Sequence, residues 1–125
     1  MPRAAPFNPL GFLELARRLS AHDEAELRTI INRCYYAMHL RARQGLEARG
    51  EAFADGADAH ADVWRAMKRR NQFTAGDRLS QLFELRIKAD YRLGADVSEL
   101  KVEEAFDNVE YISRALADAW ASLPQ

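Results

Sequence analysis

From Glu24 to Arg49 the sequence contains no proline and a single glycine, Gly45. Its apolar residues recur at spacings of three and four, so that Leu27, Ile30, Ile31, Cys34, Met38, Ala42 and Gly45 share one stripe. That periodicity predicts a helix about 40 Å long, and any fold of this chain is built around it. Asp23 stands where a short carboxylate can cap the first backbone N–H groups, with Glu24 and Glu26 near the positive end of the dipole. Gly50 suits the left-handed residue that stops a helix. Tyr36 and Leu40 lie nearly opposite the stripe, beside Thr29 and Arg33. A helix apolar on two faces is either sandwiched within a bundle or part of an oligomer interface. In the second case Tyr36 and Leu40 are the expected interface residues.

The rest of the chain repeats the pattern in shorter pieces. A first helix is expected from about Asn8 to Ser20, with Phe12, Leu15, Ala16 and Leu19 inward. The stretch GEAFADGADA, 50–59, reads as a loop, and a short third helix follows from about His60 to Arg70. TAGD, 74–77, has capping-box spacing and is expected to open a fourth helix that ends at Gly94. Ser98 begins a fifth, whose stripe is Val102, Phe106, Val109, Ile112, Leu116, Trp120 and Leu123, closed by Leu123-Pro124-Gln125. No segment alternates with period two for long enough to be a strand. The expectation is one all-α domain over 1–125, an up-and-down bundle of about five helices with its core in about 10–120.

Composition narrows the partners. A formal charge of -1 exerts no global pull on nucleic acid or membrane. The cations are skewed to fifteen Arg against three Lys. That bias reflects either GC-rich coding or a need for the planar fork that fits phosphate and carboxylate. Cys34 is the only cysteine, which excludes an intramolecular disulfide and reads as a small core residue. No apolar run approaches the ~20 residues of a membrane span, and MPRAAPFNPLGF has no leader-like apolar stretch. A cytoplasmic protein without membrane contact is expected.

The candidate chemistry lies in LFELRIKADYRL, 82–93. Leu79, Leu82, Phe83, Arg86, Asp90 and Leu93 fall on one helical stripe, so two opposite charges occupy an otherwise apolar face. Arg86 and Asp90 are four apart and can meet. Burial would force them to pair, and exposure in a cleft would leave Arg86 able to hold a phosphate. His60 shares a face with Val63, Trp64 and Met67 and should point inward. On the outer side of the same helix, Arg65, Lys68, Arg69 and Arg70 are either a solvated face or a track for a phosphate backbone. There is no glycine-rich phosphate loop, GxSxG elbow or CxxC, so no cofactor is expected. Three scattered His and one Cys give no metal-ligand spacing, and in DAHAD the groups Asp58, His60 and Asp62 diverge on a helix.

Four segments carry a resemblance. RTIINRCYYAMHLRARQGLEARG, 28–50, resembles the second-helix signature of HEPN domains, and AHADVWRAM, 59–67, is similar to the short helix that follows it. LRIKADY, 85–91, resembles the Arg-x-x-Ala-Asp-Tyr element of small stand-alone HEPN proteins, and VEEAFDNVEYISRAL, 102–116, resembles their last helix. The resemblance spans about 10–120. It implies an all-α homodimer encoded beside a small nucleotidyltransferase in a toxin–antitoxin or defence locus. It further implies a metal-independent endoribonuclease, or an RNA-binding relative, with its cleft at the dimer interface. On this chain that cleft would be lined by Arg86, Asp90, Tyr91 and His60, with Arg65, Arg69 and Arg70 contacting RNA.

The family's motif has four to six residues between the Arg and a His, and here the corresponding positions hold Tyr91, Arg92 and Leu93. Metal-free cleavage needs a base, an acid and a cation. Arg86 can supply the cation, whereas a phenol is a poor base at neutral pH. Arg33 with His39 and Arg17 with His22 have motif-like spacing, but on other helices. The resemblance also implies that a tyrosine such as Tyr91 can receive a nucleotide adduct. A non-catalytic module that binds a nucleotidyltransferase or nucleotide, and a purely structural bundle, are the alternatives.

Overall fold

The computed structural model describes residues 7–55 and 59–120, and among them five α-helices and no strand occur. α1 spans Leu10–Arg18, α2 Glu24–Glu47, α3 Ala59–Arg69, α4 Phe73–Tyr91 and α5 Glu99–Ala119. The all-helical bundle expected from periodicity is therefore the architecture found. Leu123 and the expected stop at Pro124-Gln125 lie outside the described residues, as do Asp58 and part of the 50–59 loop. No described helix is long and apolar enough to cross a membrane.

Local chemistry sets the helix ends. Asp23 is extended at the N-cap of α2 and accepts the Glu26 N–H at 2.8 Å. Beyond α2, Gly50 adopts φ 97°, and the Glu51 N–H donates to the Leu46 carbonyl at 3.1 Å. Ser98 is the N-cap of α5. α1 starts later than expected, and its buried residues are Leu13 and Ala16. Leu15 is 37% exposed, because a nine-residue helix packed on one neighbour buries only a narrow stripe.

The start of α4 also differs. The chain turns through Asn71 at φ 66°, and the Gln72 N–H bonds back to the Met67 carbonyl at 2.9 Å. The helix therefore begins at Phe73, and Thr74 falls inside its first turn. No capping box forms there, and Asp77 instead meets Lys68 of α3 at 2.5 Å. At the other end α4 stops at Tyr91, ahead of Gly94, and Leu93 is 80% exposed beyond the last turn rather than part of the inward stripe.

α2 packs against each of the other four helices, whereas α1 packs on α2 and on no other described helix. Buried side chains from all five helices form a single cluster. Of the second apolar face of α2, Tyr36 is turned onto Arg86 of α4, while Leu40 stays half-buried and Thr29 exposed. Flanking the core stripe of α2, Arg28, Asn32, Tyr35, Tyr36 and His39 project towards α3 and the C-terminal half of α4.

Candidate functional site

Arg86 is buried in α4 at 9% exposure. Its Nε donates to Asp90 Oδ2 at 2.9 Å, and Asp90 also accepts from Asn32 Nδ2 at 2.9 Å. Nη2 donates to the Tyr36 hydroxyl at 2.9 Å and to the Tyr91 hydroxyl at 3.2 Å. Four rings surround the guanidinium, with centroids at 5.2 Å for Tyr36 and Tyr91, 5.9 Å for Tyr35 and 6.0 Å for Phe83. Each ring face is weakly negative, so the box stabilises a cation that water barely reaches. Nη1 makes no hydrogen bond among the described residues.

His60 enters the same cluster from the first turn of α3. Its Nδ1 lies 2.5 Å from the Tyr35 hydroxyl, and its ring sits 5.3 Å from Phe83 and 6.3 Å from Tyr36. Tyr35 is fully buried. Burial, with Tyr36 adding to it and Arg86 opposing, pushes its phenol well above the ordinary value, so the hydroxyl keeps its proton. Burial first, and the Arg86 charge second, hold the His60 imidazole below its usual pKa. His39 completes the group, 4.7 Å from His60 and stacked on Tyr35 at 5.3 Å. It is 4% exposed, and its Nδ1 has no hydrogen-bond partner among the described residues. Burial lowers its pKa to about 3, with His60, Arg43 and Arg86 contributing in that order. Both imidazoles are neutral at pH 7.

The inward Arg86, Asp90 and His60 expected from sequence therefore come together, and Tyr91 reaches Arg86 through its hydroxyl while staying 65% exposed. Tyr36 belongs here too, as an Arg86 partner within its own chain, while Leu40 is half-buried and takes no part. The basic residues of α3 lie elsewhere. Arg69 and Arg70 each pair with Glu51 at 3.4 Å, and Arg65 lies 3.7 Å from Asp62. Their separation from His60, along α3 and just past its end, is on the order of 7–15 Å, and the three guanidiniums share two carboxylates. Asn32, Tyr35 and His39 were not singled out as site residues from sequence. Their signal is the i, i+3, i+4, i+7 spacing of Asn32, Tyr35, Tyr36 and His39, a polar and aromatic stripe flanking the apolar one.

Chemically, the cluster holds a cation fixed in place, three phenols and two neutral imidazoles. Cys34 takes no part as a nucleophile, because burial pushes its thiol up to about 12, with Arg17 acting weakly against it. Among the described residues no three His, Cys, Asp or Glu side chains converge as metal ligands. No protein-family model matches the chain, and no curated protein or solved structure does either.

Proposed function

We propose that the protein acts on RNA as a HEPN-like toxin or defence protein, with Arg86 as the phosphate-holding group, and that it binds RNA rather than cutting it. The observation that carries this reading is the guanidinium fixed in its aromatic box, with Nε and Nη2 engaged and Nη1 without a protein partner. A pre-organised fork of this kind suits a phosphodiester oxygen. Cutting also requires a base for the 2′-hydroxyl, and none is available within one chain. Asp90 is occupied by Arg86 and Asn32, and the Nδ1 of His60 faces Tyr35. His39 is sealed in the core. The homodimer belongs to the same proposal. Tyr91 and Leu93, exposed beside the cluster, offer a second copy a surface that would close the cleft.

The test combines binding, degradation and mass. A labelled single-stranded oligoribonucleotide should bind in low salt, and Arg86→Lys should weaken it about tenfold or more, since a point charge cannot replace the fork. No degradation is expected with a chelator present. Cleavage that His60→Ala abolishes would overturn the binding-only reading, and failure to bind RNA at low salt would sink the RNA reading. Light scattering at micromolar concentration should return the mass of two chains, and the mass of one would remove the shared cleft.

A second reading is favoured by Tyr91, whose phenol is 65% exposed and 3.2 Å from Arg86. A nucleotidyltransferase partner would transfer the α-phosphoryl nucleoside of a nucleoside triphosphate to that hydroxyl, breaking the α–β anhydride and releasing pyrophosphate and the phenol proton. The phosphodiester formed brings negative charge onto the cation that RNA would otherwise use. Tyr91→Phe should then abolish adduct formation by a co-expressed nucleotidyltransferase.

A further inference from the structure

Tyr35 is buried on every side, yet it spends its only polar atom on His60. A phenol carries one proton to donate, and among the described residues its hydroxyl meets no acceptor other than His60 Nδ1. If Nδ1 carried the imidazole proton, a buried O–H would be left without an acceptor, which proteins avoid. The bond therefore runs from the Tyr35 O–H to Nδ1, and the single proton of the neutral ring sits on Nε2. The two nitrogens point to opposite edges of the ring, so Nε2–H faces away from the buried hydroxyl. It makes no hydrogen bond among the described residues, and it is not one of the polar atoms sealed from solvent.

We propose that Tyr35 is the positioning residue of this site, locking His60 as an outward Nε2–H donor that, beside the Arg86 guanidinium, holds an anionic phosphate oxygen. The groups facing His60 fit that assignment. Tyr35, Tyr36 and His39 come from α2, and Phe83 and Arg86 from α4. None of them is a carboxylate that would charge the ring. A neutral donor next to a fixed cation attracts an oxyanion, whereas an unprotonated Nε2 would repel one. The ligand side of this inference rests on the RNA reading above, but the tautomer does not.

The experiment is nitrogen-15 NMR of the imidazoles in the full chain, wild type against Tyr35→Phe, paired with affinity for the labelled oligoribonucleotide. In wild type, between pH 6.5 and 8, His60 should show an acceptor-type Nδ1 and a protonated Nε2. Tyr35→Phe removes one oxygen, so it should fold, mix the two tautomers and weaken RNA binding about three- to tenfold. Tyr36→Phe, which loses a bond to Arg86 and none to His60, should leave the tautomer unchanged. A wild-type Nδ1–H tautomer, or a Tyr35→Phe spectrum equal to wild type, overturns the proposal. So does a changed tautomer with unchanged RNA affinity. If wild type shows the Nε2–H form and binds no RNA, the lock stands and it is the RNA reading that falls.

Discussion

Replacing Asp90 by alanine strands a guanidinium whose side chain is 10% exposed, whereas the lost carboxylate is itself 22% exposed. Fully buried pairs cost about 3–5 kcal/mol when one partner is removed. Here Tyr36, Tyr91 and the surrounding rings still hold the cation, so a loss of about 2–3 kcal/mol is expected from denaturant melts. Arg86→Ala combined with Asp90→Ala should recover part of it. His39 makes the fold sensitive to acid. Its folded pKa of about 3 lies below the ordinary 6.5, so the unfolded chain binds the extra proton. Stability is then complete above pH 6.5 and falls as the pH drops from there towards 3, by about 1.4 kcal/mol per unit. His60, lowered in the same direction, adds to the slope. His39→Leu should flatten the pH profile of the melts. The sequence made Arg86 and Asp90 legible because inward charges on an apolar stripe are conspicuous. His39 escaped because a histidine among Tyr35, Met38 and Ala42 resembles core filling until the rings around it are known.

At the scale of elements, the end of α4 depends on one side chain from α2. Arg28 donates to the carbonyls of Lys88, Ala89, Arg92, Leu93 and Ala95 at 3.0–3.3 Å. It thereby satisfies the Ala89 carbonyl, an orphan acceptor of the last turn of α4, shares that of Lys88 with the Arg92 N–H, and ties down the carbonyls of the loop beyond. Arg28→Ala should cost about 2–3 kcal/mol and speed amide exchange in the last turn of α4 and the following loop. The α2–α5 contact depends on a missing methyl group. A Cβ on Gly45 would lie 2.4 Å from Cε3 of Trp120, a buried ring. Gly45→Ala should therefore lose about 1–3 kcal/mol and shift Trp120 emission, read in a Trp64→Phe background. Helix existence was legible throughout, because amphipathic spacing reports burial directly. Ends were legible where a side chain or glycine makes them, as at Asp23 and Gly50, and the start of α5 fell at Ser98 although its side chain makes no capping bond. The start of α4 was not, because it is fixed by backbone bonds through Asn71 and by α4 packing so closely that a Cβ on Gly76 would meet the Trp64 carbonyl at 2.9 Å.

Across the whole molecule, the arginine excess has a use that neither coding bias nor phosphate binding supplies. Arg49 donates to the Ala119 carbonyl, Arg70 to the Arg49 carbonyl and Arg43 to the Phe53 carbonyl, while Arg33, Arg43, Arg49 and Arg78 lie over aromatic rings. Lysine has neither the fork nor the flat face for such roles. The packing of α1 has another consequence. Because it rests on α2 and no other described helix, α1 can detach while α2, α3, α4 and α5 keep every contact among themselves. Amides of Leu13 to Arg18 should exchange through a sub-global opening of lower free energy than those of α2, and their rates should respond only weakly to small additions of denaturant. The chain would then behave as a four-helix folding unit with a hinged first segment, whose release bares Ile30 without disturbing Arg86.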